Sequence, residues 1–210
     1  MTDRPAPRIS PRKQPKQARS SDLVATILEA AVQVLAHEGA QRFTTARVAE
    51  KAGVSVGSLY QYFPNKAAIL FRLQSDEWRE TADKWATILG DVERPPLERL
   101  RTLVHVFIRS EVEEMAVRLA LDDAAPLYRD TPEARQVQAD GDRIVETFMR
   151  ELLPNAREGV RELAGDLITT TMTAVGKEFS RCPRSEAEIM TYADAMADMI
   201  CAYLGQLEQA

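Results

Sequence analysis

The sequence predicts an all-α fold, with a compact helix-turn-helix of three helices at the front and longer helices behind. Three observations carry that reading. Apolar residues recur at intervals of three and four along most of the 210-residue chain, the spacing of a one-sided helix. Breaks at Gly90 to Pro96, Pro126, Thr131-Pro132, Pro154-Asn155 and Cys182 to Ser185 punctuate these stretches. No segment shows the period-two alternation of a half-buried strand.

Residues 1 to 20 place Pro5, Pro7, Pro11 and Pro15 among Arg4, Arg8, Arg12, Lys13, Lys16 and Arg19. That mixture carries too little apolar surface to offset the entropy of ordering, so a disordered basic arm is expected. From Ser21 the pattern turns helical: Leu23, Ile27, Ala30, Ala31, Val34 and Leu35 share a face, and Gly39 supplies a stop. Thr44 is placed to cap a second helix, with Phe43 packing on Val48 across the cap, and Ser55 repeats the device with Val54 and Leu59. Gly53 lies between them where a left-handed residue ends a helix, and Ala49 is small enough to let the two helices cross closely. The second of this pair is expected over Val56 to Phe63, with Pro64 and Asn65 breaking the chain before a helix that begins near Lys66. Further helices are expected over residues 66–89, 97–113, 114–124, 132–152, 156–181 and 185–208. The division that follows is an arm over 1–20, a helix-turn-helix unit over 21–65 and a larger helical unit over 66–210.

Composition narrows the classes. With 45% hydrophobic and 28% charged residues the chain suits a water-filled surface around a moderate core. Residues 1 to 20 lack an apolar stretch behind their basic residues, and no apolar run approaches the ~18 residues of a spanning helix, so no membrane partner and a cytoplasmic location are expected. Cys182 and Cys201 have no metal-ligand spacing, and His37 and His105 are far apart, so neither a disulfide scaffold, a metal nor a cofactor is indicated. The net charge of −5 hides an asymmetry: residues 1–66 carry ten Lys/Arg against five Asp/Glu, and the remainder 17 against 27. A basic front is what neutralising phosphates requires. A solvated basic tail on an ordinary acidic protein is the competing explanation, and charge alone does not choose.

The stretch from Phe43 to Lys66, FTTARVAEKAGVSVGSLYQYFPNK, closely resembles the DNA-binding motif of the TetR family of transcriptional repressors. The likeness covers about 46 residues with the helix before it, and combines T-T, A-x-x-A-G-V-S, G-x-L-Y-x-Y-F and a lysine three residues beyond that phenylalanine. It implies a DNA-binding domain followed by a helical ligand-binding and dimerisation domain. By the same resemblance Thr45, Ser55, Tyr60, Tyr62 and Lys66 contact phosphates, while Val56, Gly57, Ser58 and Gln61 face the major groove. The residues agree: Val56, Gly57 and Ser58 are small enough for close approach to base edges, and phenol hydroxyls reaching phosphates would fix register. Arg47 is long enough to reach a phosphate or a guanine edge, or is simply a solvated charge. Ala46 stands where some members carry a longer base-reading residue. The expected DNA is a near-palindromic double-stranded operator.

Behind the motif, Phe71, Ser75, Trp78, Ala82, Trp85 and Leu89 form one stripe. It is either ordinary core or, as the resemblance implies, the border of an effector pocket that includes Trp78 and Trp85. Leu100, Val104, Phe107 and Glu111 form a second stripe, in which the Glu111 carboxylate needs a partner, a ligand or an exit to solvent, the exit being favoured. Met115, Tyr128 and Thr171 complete the effector candidates, and the small molecule itself is not identified. In the last helix Tyr192, Met196, Met199 and Tyr203 line one stripe, and Ala193, Ala197, Ile200 and Leu204 its neighbour. One side is expected against a second subunit, with Ala193 and Ile200 in that contact, giving a homodimer through the last two helices. Dimerisation would hold two recognition helices about 34 Å apart, one turn of the duplex.

Two rival functions belong to other classes. An enzyme needs a nucleophile with its base or a metal set, and the sequence has no H-E-x-x-H, G-x-S-x-G or P-loop. A helical adaptor for a protein partner would leave the basic arm without a DNA task, and a gel shift with genomic fragments separates that reading from the first.

Overall fold

The computed structural model describes residues 9, 10 and 18–209, and among them the chain forms nine α-helices, one 3-10 turn and no strand. The expected arm falls outside the described residues except at 9, 10 and 18–20. At two of these points the expectation of disorder is corrected. Ile9 is buried at 3% exposure in the first core, and the Ser10 hydroxyl donates to Glu133 at 3.0 Å. Burying an isoleucine is worth about 2 kcal/mol, enough to pin a short piece of an otherwise polar stretch. Residues 18–20 are already helical.

Compactness divides the chain into two units, Met1–Trp78 with Ala116–Val137, and Arg79–Met115 with Gln138–Ala210. The first begins with α1 (Ala18–Arg42), whose helical geometry breaks at Gly39 (φ 72°) as the sequence suggests, although a further turn carries it to Arg42. By length and a mean hydropathy of 1.3, Ser20–Arg42 passes for a membrane-spanning helix, which corrects the expectation that no run comes near that length. The apolar residues have a different use here: Ile27, Ala31 and Leu35 are fully buried in the core of the unit.

α2 (Thr45–Lys51) and α3 (Val56–Tyr60) follow, and α3 is shorter than expected. Pro64 disfavours helical backbone at the residue before it, so Gln61 and Tyr62 form a turn instead of completing the helix. Phe43, Val48, Leu59 and Phe63 bury beneath these helices together with Ile69 and Leu70 of α4 (Lys66–Leu89). Because the first turns of α4 belong to this core, the compact unit runs past residue 65, where the sequence reading ended it. α6 (Met115–Ala124), the 3-10 turn at Ala125–Leu127 and the start of α7 (Pro132–Leu152) supply Leu121, Ala124, Tyr128 and Ala134 to the same core. Arg118 pairs with Glu77 at 3.0 Å, and the Tyr128 hydroxyl donates to Gln74 Oε1 at 3.3 Å and to the Leu121 carbonyl at 3.1 Å.

In the second unit α5 (Pro96–Glu113) packs on both α8 (Glu158–Ser180) and α9 (Glu186–Glu208). α5 and α8 meet at Gly176, where an added Cβ would lie 2.8 Å from the Phe107 ring and 2.9 Å from Glu111 Cγ. Arg99, 2% exposed, donates to the Leu89 carbonyl at the end of α4 and to the Glu151 carboxylate. A cation there suits the negative end of the α4 dipole, and its hydrogen bonds hold the Glu151 carboxyl below the usual carboxylate range. α9 starts with a reciprocal cap between Ser185 and Glu188.

The stripe placed at the subunit contact by the sequence reading is corrected. Ala193, Ala197, Ile200 and Leu204 are at most 3% exposed and pack within their own unit against α5. The large apolar residues left exposed on these two helices are Met190, Tyr192 and Met199 on α9 and Val160, Leu163 and Leu167 on α8. Successive residues of a helix are turned by about 100°, so Met199 and Ile200 point apart by that angle and a wide apolar arc serves two faces.

Gly53 has φ +68°, and a Cβ there would meet nothing within 4 Å. Gly53→Ala therefore costs only the left-handed backbone and is expected to lower the unfolding free energy by about 1–2 kcal/mol, read as a lower denaturant midpoint with the m-value unchanged. A loss below a few tenths of a kcal/mol would show that the turn is not under this constraint.

Candidate nucleic-acid interface

Local chemistry fixes the start of each short helix. Thr44 accepts a hydrogen bond from the Arg47 amide at 3.3 Å to open α2, and Ser55 accepts from the Ser58 amide at 3.0 Å to open α3. Gly53 in its left-handed conformation turns the chain between them. Leu59 on the inner side of α3 is fully buried, so the opposite side is left outward: Ser55, Val56, Gly57, Tyr60 and Gln61 are exposed and Ser58 half-buried.

The proposed phosphate-contacting and groove-facing residues are thus mostly gathered on one surface, already linked by hydrogen bonds. The Thr45 and Tyr60 hydroxyls lie 3.1 Å apart, joining α2 to α3, and the Ser55 and Ser58 hydroxyls 2.8 Å apart. Lys66, at the start of α4, is exposed. Arg47 is exposed and paired with Glu38 of α1, a partner that the sequence alone did not suggest because nine residues and a kink separate the two. Tyr62 departs from expectation. It is 6% exposed and sits in the core beside Phe63, because two successive steps along a helical turn rotate a side chain by about 200°, away from the face of Tyr60.

The effector candidates are divided between the two compact units. Trp78 and Tyr128 belong to the first unit, and Trp85, Phe107, Glu111, Met115 and Thr171 to the second. Tyr128 is 1% exposed with its ring 5.7 Å from that of Phe71, and burial pushes its hydroxyl above the usual phenol range. Trp85 is half-buried with its ring edge-on to Phe107 at 6.2 Å. Glu111 does not exit to solvent as favoured from sequence: it is 7% exposed, beside Gly176. Met115, Thr171 and Trp78 are half-buried. A cleft of about 430 Å³ opens between α7 and α8, with Val145, Met149 and Gly165 among its walls and Asp142, Arg161 and Asp166 around them. None of the seven candidates lines it. Burial, and then the neighbouring Asp166, raise the Asp142 carboxyl above its ordinary range. Among the described residues no group of three or more His, Cys, Asp or Glu is placed to hold a metal ion.

A capped helix-turn-helix on an all-helical chain defines the class, a regulator of the helix-turn-helix type, and the comparisons give the family. Residues 27–73 match the family described as bacterial regulatory proteins of the tetR family, and residues 95–207 match the tetracyclin repressor-like C-terminal domain. The chain belongs to the TetR family. It is 31% identical over 128 residues to the nucleoid occlusion factor SlmA of Vibrio campbellii, covering 60% of this chain and 64% of that protein. The match thus spans a little under two thirds of the length of that relative. Two solved structures share the fold. The fatty acid degradation regulator FadR of Bacillus halodurans superposes with TM-score 0.70 at 20% identity, covering 90% of this chain and 97% of that one. The SmeT–triclosan complex does so with TM-score 0.61 at 20% identity, covering 87% and 91%.

In this pair the Glu38 carboxylate holds the Arg47 guanidinium that the resemblance would leave for a phosphate or a guanine edge. Glu38→Gln is expected to strengthen binding to non-specific duplex and to steepen its salt dependence by about one unit, since the freed guanidinium releases one more counterion. An unchanged slope would mean that Arg47 never faces the backbone.

Proposed function

We propose that the chain is a ligand-responsive repressor that binds a near-palindromic double-stranded DNA operator as a homodimer and is released by a small-molecule effector. The observation that carries this reading is the outward face of α3, with small residues along it and Tyr60, Thr45 and Lys66 around it. That arrangement offers close approach to base edges with phosphate contacts at the margins. The helix-turn-helix, over residues 21–65, would dock on DNA, and residues 66–210 would bind the effector and the second subunit, in the cytoplasm. Thr45, Ser55, Tyr60, Tyr62 and Lys66 are assigned to phosphates, Arg47 to a phosphate or guanine, and Val56, Gly57, Ser58 and Gln61 to the groove. Tyr62 would reach DNA only through its hydroxyl edge, its ring being buried.

The effector would be bound among Trp78, Trp85, Phe107, Glu111, Met115, Tyr128 and Thr171. The SmeT–triclosan complex, a fold relative holding a small molecule, supports ligand response in this architecture. Release needs only a difference in effector affinity between two states, ~1–3 kcal/mol in typical couplings. The name of the SlmA relative favours a second reading, in which the DNA-bound chain acts elsewhere than at a promoter. Mapping bound genomic fragments separates the two: a few promoter-proximal sites support repression, many scattered sites the alternative.

The subunit contact is assigned to the exposed stripes of α8 and α9. Val160, Leu163 and Leu167 on one helix and Tyr192 and Met199 on the other, from 37% to 62% exposed, leave a two-helix apolar surface of the kind that pairs with its symmetry mate as a four-helix bundle. Leu167→Glu with Met199→Glu is expected to yield monomers by sedimentation, with native helicity and with operator affinity reduced at least a hundredfold. A dimer that survives both charges would place the interface elsewhere.

Lys66→Ala is expected to weaken binding almost equally across operator variants and to lower the salt slope by about one unit, because a phosphate contact carries no base information. A loss confined to one operator variant would contradict the assignment.

A further inference from the structure

We propose that Val56 reads the C5-methyl group of a thymine, adding an apolar contact to the base readout of α3. The inference rests on the reading that α3 enters the major groove and adds what it recognises there.

The argument begins with what the polar groups of this surface are already doing. The Ser55 hydroxyl accepts from the Ser58 amide at 3.0 Å and lies 2.8 Å from the Ser58 hydroxyl. Both serines are thereby engaged in capping α3. Thr45 and Tyr60 are hydrogen-bonded to one another at 3.1 Å, and Arg47 is paired with Glu38. Each of these groups must give up or share an internal partner before it contacts a base edge.

Val56 has nothing to give up. Its side chain is 38% exposed at the first position of α3, and keeping that apolar surface in water is unfavourable. Gly57 beside it carries no side chain, and even a Cβ there would touch only Ser55 Oγ, at 3.7 Å. No side chain at position 57 therefore screens the exposed part of the isopropyl group. A valine in a helix is held almost wholly in one χ1 rotamer, so docking it costs little conformational entropy. Among the four bases only thymine presents a methyl group in the major groove, and aliphatic contact with that methyl is the recognition available to such a side chain.

The test uses the full-length protein and the duplex that it selects from a randomised pool. Each thymine of the selected site is replaced in turn by deoxyuridine, which removes the methyl group and leaves every groove hydrogen-bonding atom in place. At one position per half-site the replacement is expected to weaken binding about fourfold, the effect of one methyl-sized burial. Val56→Ala is expected to bind the thymine and deoxyuridine duplexes equally while keeping the wild-type salt slope, and Val56→Ile to keep the discrimination. If wild-type protein ignores the methyl at every position, or if Val56→Ala still discriminates at the same position, the proposal is overturned. A pool from which no sequence is enriched overturns the operator reading itself, and the methyl contact with it.

Discussion

A helix of five residues does not stand on its own. The nucleation cost of a helix is recovered only over many residues, and α3 has a single full turn between Val56 and Tyr60. What keeps it formed is burial of Leu59 and Phe63 against α1 and α4, together with the Ser55 cap and the left-handed turn at Gly53. The surface offered to DNA is therefore a property of the core behind it. Small displacement of that core moves the residues assigned to bases as a group, and the hydrogen bond between the Thr45 and Tyr60 hydroxyls ties α2 to α3.

Much of this was legible in the sequence because the information is local. Caps, staples and left-handed glycines act within four or five residues, so Thr44, Ser55 and Gly53 could be read without knowing what lies across the fold. The long helices were legible for a related reason, since a stripe at helical spacing needs only its own segment. The failures share the opposite character. Which of two adjacent stripes on α9 meets α5 and which is left outside depends on partners far along the chain, and the Ala193 stripe was assigned outward when it packs inward. The pairing of Arg47 with Glu38 and the burial of Glu111 beside Gly176 are likewise contacts between segments that no local pattern announces. The expected exposure of Tyr62 differs for another reason: the resemblance put it beside Tyr60, whereas a side chain two residues on is turned by about 200° and its ring lies in the core.

In the second unit close approach and polar anchoring divide the work. Gly176 lets α8 lie against Phe107 of α5, which fixes the register of that helix pair, since any larger residue would have to push the aromatic ring aside. Arg99 fixes the ends instead, tying the last carbonyl of α4 to Glu151 of α7 through one buried guanidinium. Because the guanidinium also lies over the Phe148 ring, 5.6 Å from its centroid, the side chain serves as a cation–π partner and as a hydrogen-bond hub.

The first compact unit is assembled from two separate stretches of chain, Met1–Trp78 and Ala116–Val137. This has a consequence for how such proteins diversify. A recombination event that exchanged everything after residue 78 would hand the DNA-reading helices a foreign Leu121, Tyr128 and Ala134, the residues that close their own core. Inheritance of an intact first unit thus demands that two non-adjacent pieces of gene travel together or drift in step, while the intervening α5 answers to the other core, through α8 and α9.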